Sequence, residues 1–258
     1  MLSKPRIKQI QSLKSKKFRD AARKFIAEGH TLVSDLVQSN MVIDSIFATT
    51  SWFHKNQKTL HHSKAELVEV SEKELDAISS LTTPNQVLAV INIPQRKFDN
   101  DIFIKDYVLM LDEIKDPGNM GTIIRTADWF GIKHIICSHD CVDVYNPKVV
   151  QATMGSIARV QILYENITDV LSRLDSSINV YGTFLEGTPL TKIRFKKTGV
   201  IIIGNESKGI SSSLEGFVSE KIHINSFFNK TETNTRPESL NASVAAGIVL
   251  FAAKNFCS

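Results

Sequence analysis

Along the second half of the chain, short apolar runs alternate with segments of helical spacing. Runs at 107–111, 132–137, 160–164, 178–185, 200–204 and 221–224 read as strands. Helices are predicted between them near 122–130, 147–157, 167–176 and 212–217, with a long last helix at 240–256. Strands that are apolar throughout belong in a parallel sheet covered on both faces. The reading is therefore a doubly wound α/β domain over 107–258. In such a sheet ligands bind where loops leave the carboxyl ends of the strands.

The first half has a different texture. Ile7, Ile10, Leu13, Phe18, Ala21 and Phe25 are spaced for one helical face beneath basic residues, with Gly29 interrupting that helix. A second helix near 31–38 precedes a β-rich run at 42–49. A strand at 67–70 leads into Ser71-Glu72-Lys73-Glu74, the pattern of a capping box, which predicts a short helix. Residues 85–93 read as a further strand, after which Pro, Asn and charge break the pattern from Pro94 to Asp106. The expected organisation is a small mixed α/β domain at 1–94, a linker at 95–106 and the α/β domain at 107–258.

With 258 residues, 42% of them hydrophobic, such a chain buries a core without disulfide or metal staples. Its three cysteines, Cys137, Cys141 and Cys257, have no zinc spacing, so no metal is expected. No run reaches the roughly 18 apolar residues of a membrane span, and no apolar signal segment opens the chain. The expectation is a cytoplasmic protein with no membrane partner.

Charge changes the picture more. The net charge is +4, yet residues 1–24 hold nine Lys or Arg against the single acid Asp20, while 25–258 hold 22 basic and 26 acidic residues. A basic segment on an acidic body points to an anionic partner, nucleic acid before membrane surface. Lys14, Lys16, Lys17, Arg19 and Arg23 are its candidate contacts.

The chain has no Gly-x-Gly-x-x-Gly after a strand, no P-loop and no Gly-x-Ser-x-Gly elbow. Three other polar loops stand at expected strand ends or before the last helix: Asp116-Pro117-Gly118-Asn119-Met120-Gly121, Gly204-Asn205-Glu206-Ser207-Lys208-Gly209 and Glu238-Ser239-Leu240-Asn241-Ala242-Ser243. Each has a plain structural use, Asn119 or Ser239 as a helix cap and Glu206 as a partner for a helix dipole. Arg125, six positions beyond Asn119 in a mostly apolar helix, asks for a partner.

Taken together, the run Leu111–Ala127, the run Ile202–Ile210 and the run Glu238–Gly247 resemble motifs one, two and three of the SpoU/TrmH RNA ribose methyltransferases, within the SPOUT class. More loosely, Lys17-Phe18-Arg19, Phe25 to Gly29 and Gln86 to Val90 resemble the family's ribosomal-protein-like substrate RNA-binding domain. The resemblance implies methyl transfer from S-adenosyl-L-methionine to a ribose 2′-hydroxyl in structured RNA, ribosomal RNA first and transfer RNA as the alternative. It implies a C-terminal trefoil knot and a homodimer through the C-terminal domain. Arg125 matches the residue beside the 2′-hydroxyl, with Asn119 and Glu206 holding it and Ser239 and Asn241 completing the pocket. Gly204, Ile224 and Leu240 match cofactor contacts, with Thr183 and Leu185 close to the adenosine. A guanidinium is a poor proton acceptor, so Arg125 is expected to orient the hydroxyl. The family's Ile-Pro-Met and short Gly loop are replaced by Ile224 and the longer 225–237, where Phe227 and Phe228 are expected over the cofactor and the loop poorly ordered. The competing class is a non-catalytic RNA-binding or assembly protein on the same fold, and salt-sensitive RNA binding separates both from a small-molecule α/β enzyme.

Overall fold

The computed structural model describes residues 1–61, 63–96, 101–227 and 239–256. Contacts divide the chain into two compact units, 1–96 with 143–159, and 97–142 with 160–258. Phe228 and most of the 225–237 loop, for which packing and disorder were expected, lie outside the described residues.

In the first unit, α1 (Lys4–Ser12) is capped by the Ser3 hydroxyl and followed by α2 (Lys16–Ala22). The helix expected to run on through Phe25 stops there: Arg23 takes a left-handed conformation, φ 53°, and β1 (Lys24–Glu28) begins. Then follow α3 (His30–Val37), β2 (Ile43–Ala48), α4 (Thr50–Leu60), β3 (Glu66–Glu69), α5 (Glu72–Ile78) and β4 (Val87–Asn92). The strands lie in the order β1-β4-β2-β3, with only β2 and β3 parallel. α5 opens on the full Ser71/Glu74 capping box.

Alternation explains why Phe25-Ile26-Ala27 is a strand. Phe25 and Ala27, with Ile46, Ala48, Ala89 and Ile91, enter a core that Leu32, Leu36 and Trp52 complete. Ile26, with Phe47, Leu88 and Val90, enters a second core with Ile10, Leu13, Leu75 and Ile78. A consecutive apolar run feeds two cores only with the two-residue period of a strand.

Residues 143–159, read from sequence as part of the C-terminal domain, supply Tyr145, Val150 and Ile157 to the first of these cores. Tyr145 stacks at 4.9 Å on Phe25. Arg19 fixes the start of the segment: its Nε and Nη2 donate to Asp143 Oδ2 at 3.0 and 2.5 Å, and its Nη1 to the Leu13 and Lys14 carbonyls at 2.9 and 2.8 Å. With 2% exposure it is no surface cation and leaves the set of candidate RNA contacts. The reason is physical, since a charge this buried persists only when paired and fully hydrogen-bonded.

The second unit runs α6 (Ile102–Lys105), β5 (Tyr107–Leu111), α7 (Pro117–Trp129) and β6 (His134–Cys137). After α8 (Pro147–Ala152), which belongs to the first unit, come β7 (Gln161–Tyr164), α9 (Ile167–Ser172), β8 (Val180–Pro189), β9 (Gly199–Ile203), α10 (Ser212–Glu215), β10 (Glu220–His223) and α11 (Ala242–Asn255). The sheet order is β10-β8-β9-β5-β6-β7 and every pairing is parallel. Every residue of β5 and β9 is buried, as their unbroken apolar sequences require. The chain leaves β5 through β6 and β7, then returns to the other side of β5 through β8 and β9. The loops after β5 and β9 therefore part at a switch point, the usual place for a ligand.

Asp143→Ala is expected to lower the stability of the first unit by about 3 kcal/mol, because it strands the Arg19 guanidinium in the interior. Urea unfolding followed by the fluorescence of Trp52 in that unit measures it, and an unchanged midpoint would show the pair to be idle.

Candidate active site

At that switch point the loop after β5 enters α7 through Asp116, whose carboxylate caps the helix by accepting the Asn119 N–H at 2.8 Å. The cap is Asp116, which leaves the Asn119 amide for other work. After β9, Asn205 and Gly209 exchange two backbone hydrogen bonds of 2.9 Å and close a tight turn. Asn205 Oδ1 accepts the Ser207 and Lys208 N–H groups, and Asn205 Nδ2 donates to the Glu113 carbonyl at 2.8 Å. A Cβ on Gly204 would overlap the Gly209 backbone, so this strand end accepts only glycine. Glu113, in a left-handed conformation with φ 52°, faces Lys115 at 3.2 Å and Lys208 at 3.3 Å. Hydrogen bonds from Lys115 first and Lys208 second hold its carboxyl below the usual carboxylate range.

The third loop ends in Asn241, the cap of α11, whose Oδ1 accepts the Ser243 and Val244 N–H groups at 3.0 and 3.3 Å. Ser239 is not the cap; its hydroxyl donates to the Glu206 carbonyl at 3.1 Å. One carboxylate oxygen then joins all three loops. Glu206 Oε1 accepts Asn119 Nδ2 at 2.7 Å, Asn241 Nδ2 at 2.7 Å and the Ala242 N–H at 3.0 Å. Asn241 Nδ2 also reaches Asn119 Oδ1 at 2.8 Å. The carboxylate sits at the positive end of α11, where a helix favours an anion.

Four of the five residues expected to be catalytic thus meet. Arg125 does not join them. It is exposed on α7, and where Asn119 and Glu206 were expected to hold it, they hold each other. Trp129, one turn further along the same helix, is 85% exposed.

Beside the network lies a cavity of about 300 Å³ between the ends of β8, β9 and β10 and the start of α11. All five residues expected at the cofactor line it: Thr183, Leu185, Gly204, Ile224 and Leu240. Sequence reasoning missed Phe184, Glu215 and Ile222, and gave Lys208 and Ile210 no role beyond their place in the run resembling motif two. Phe184 was within reach, since it stands between two residues already singled out. Phe227, expected over the cofactor, is 96% exposed. Among the described residues no group of three His, Cys, Asp or Glu side chains forms a metal site.

In the first unit the remaining candidate RNA contacts lie at the surface. Lys14 Nζ donates to the Ser79 carbonyl at 2.6 Å, Lys16 pairs with Asp20 at 2.7 Å, and Lys17 and Arg23 are exposed.

Residues 106–251 match the SpoU rRNA Methylase family and residues 4–89 an MRM3-like substrate binding domain. The chain is 28% identical over 251 residues to the 23S rRNA (guanosine(2553)-2′-O)-methyltransferase RlmP of Bacillus subtilis, across 95% of this chain and 94% of that one. An AdoMet-bound rRNA methyltransferase from Sinorhizobium meliloti superposes with a TM-score of 0.84 at 30% identity, over 98% of this chain and 95% of that one. A TrmH-family structure from Porphyromonas gingivalis does so with 0.84 at 33%, over 98% of both chains.

Glu206→Ala is expected to speed amide exchange at Ala242 roughly tenfold, the worth of one hydrogen bond to a charged acceptor, whereas Glu206→Gln keeps an acceptor oxygen and most of the protection. Exchange measured by NMR decides, and equal rates in both variants would refute the role of this oxygen.

Proposed function

Because the chain belongs to the SpoU rRNA methylase family, we propose that it transfers a methyl group from S-adenosyl-L-methionine to a ribose 2′-hydroxyl of ribosomal RNA. The observation that carries this reading is the junction of the Asn119, Glu206 and Asn241 side chains, whose shared Glu206 lines the 300 Å³ cavity. The cavity fits the cofactor. Its volume suits a small ligand, its apolar lining of Leu185, Ile203, Ile222 and Leu240 suits an adenosine, and its Gly204 edge allows close approach to backbone. Thr183, Leu185, Gly204, Ile224 and Leu240 would hold the cofactor, which supplies an electrophilic methyl group.

The chain's own work is positioning. Glu206 fixes two amides and the start of α11 as one rigid edge, and alignment by such an edge supplies a large share of a rate. A guanidinium donates and does not accept, so Arg125 orients the ribose hydroxyl and grips the neighbouring phosphate through its planar fork. The first unit grips the RNA, a reading supported by the basic surface of residues 1–24 and by the match to a substrate binding domain.

The finer architecture follows the same line. A homodimer through the second unit is supported by the exposed apolar residues of α7 and α11, Trp129, Val244 and Phe251 at 85%, 49% and 51% exposure. Phe251 is continuous with Phe130 at 6.4 Å and with Phe256 at 6.0 Å. Arg125 shares the helix face of Trp129, so a partner docked there would enclose it. A C-terminal knot is supported by the return of α11 from the far edge of the sheet to pack along α7 and β9.

Incubation with unmodified ribosomal RNA and labelled S-adenosylmethionine, followed by mapping of 2′-O-methyl ribose, tests the activity. Label at a ribose oxygen is expected, and label confined to a base overturns the reading. Arg125→Lys keeps the charge and loses the fork, with an expected fall in turnover of about 10²-fold from misalignment; near-full turnover would refute the fork. Trp129→Glu is expected to shift sedimentation from dimer to monomer.

A further inference from the structure

Between α1, α2 and the sheet of the first unit lies a second cavity, of about 290 Å³, outside the site described above. Its buried lining is Ile10, Leu13 and Val90 at 2%, 3% and 4% exposure, with the buried Ser45 beside them. Phe18 lines it too, yet is 49% exposed. A phenylalanine half in water on a helix reading Lys-Lys-Phe-Arg-Asp is not explained by packing, since its helix buries Arg19 in its place.

The polar groups at this cavity have the chemistry of base edges. Asp44 accepts from Lys24 at 2.6 Å and from the Ser45 hydroxyl at 3.3 Å, and keeps lone pairs to spare. Gln9 lines the cavity and its side-chain amide has no partner among the described residues. Arg6 and Lys24, both partly exposed, line it as well.

Resting on the reading of RNA as substrate, we propose that this cavity takes one unpaired nucleobase of the RNA, stacked on Phe18 and hydrogen-bonded by Gln9 and Asp44, while the surrounding cations hold its phosphates. Sequence-specific contact with RNA falls on unpaired bases laid against aromatic rings, and a basic rim is complementary to the backbone that presents them. A protein side chain or a lipid tail would have no use for the cationic rim together with a carboxylate and a free amide.

The test uses the full chain and a short single-stranded oligoribonucleotide carrying 2-aminopurine, with the paired duplex of the same sequence as control. Wild type is expected to quench the 2-aminopurine on binding the single strand. Phe18→Ala and Phe18→Leu are expected to abolish the quench and weaken single-strand binding about tenfold, the order of one base stacked on a ring. The duplex affinity and the salt slope stay as they were, and Phe18→Trp restores both quench and affinity. Lys17→Ala instead lowers the salt slope by about one and keeps the quench. Equal binding and quench in wild type, Phe18→Ala and Phe18→Leu overturn the pocket, as does an equal loss on single strand and duplex. If wild type binds and quenches but methylates no RNA, the methyltransferase reading fails and the pocket stands; if it methylates and Phe18 is silent, the reverse holds.

Discussion

The three loops at the switch point hang from one oxygen. Glu206 Oε1 takes three N–H donors, from a side chain at the start of α7, a side chain before α11 and the first backbone amide of α11. Those donors come from segments 122 residues apart along the chain, as the Asn119 to Asn241 bond measures directly. A neutral acceptor gathers such a set poorly. An ionised carboxylate forms charge-assisted bonds roughly twice as strong as neutral ones, and the dipole of a 14-residue helix adds to them. The carboxylate is therefore a structural centre first, and the shared edge of the three loops is a consequence of it.

Behind that oxygen stands the sheet. Glu206 can reach both helices only because β9 is inserted beside β5, which sets the ends of two buried strands side by side. Gly204 then turns the chain with no room for a side chain, and Asn205 ties the turn back to the loop after β5. Asp112 repeats the device on the other side, accepting the Ser211 N–H at 2.7 Å. The polar residues of the loops are thus largely consumed in holding one another. The cavity beside them is lined by apolar residues of β8, β9 and β10 together with polar ones that include Thr183, Glu206, Lys208 and Glu215.

How far the sequence made this legible differs from element to element. The parallel sheet was readable because β5 and β9 are apolar at every position, and the three polar loops because strand ends in such a sheet carry ligands, whereas the five cavity residues were named only through the resemblance to the family. Partnerships were not readable. Whether the Asn119 amide turns to Arg125 or to Glu206 is decided by where α11 begins, and no local pattern states that. The run at Phe25 satisfied helical spacing and strand length alike; two cores on opposite faces settled it. α4 is mostly polar, and only Trp52, Asn56 and Leu60, four residues apart, form its buried stripe. Residues 143–159 joined the first unit for a reason invisible along the chain, the burial of Val150 and Ile157 against a sheet formed far upstream.

Charge shows the same limit in sharper form. By count, Arg6, Lys16, Arg19 and Lys24 are four equal contributions to a basic segment. In the fold each has a carboxylate: Glu66 at 2.7 Å, Asp20 at 2.7 Å, Asp143 at 2.5 Å and Asp44 at 2.6 Å. The pairs are not equivalent, since exposure decides what each can give up. Lys16 and Asp20 are 64% and 56% exposed, and a pair so wetted is worth little and yields readily to a phosphate. Arg19 at 2% cannot leave Asp143 without stranding both charges. Lys24 and Asp44, at 28% and 29%, lie between these extremes at the mouth of the second cavity. There a phosphate that draws Lys24 outward releases an acceptor oxygen of Asp44 toward the cavity. Electrostatic grip and recognition of a base would then be coupled through that one pair.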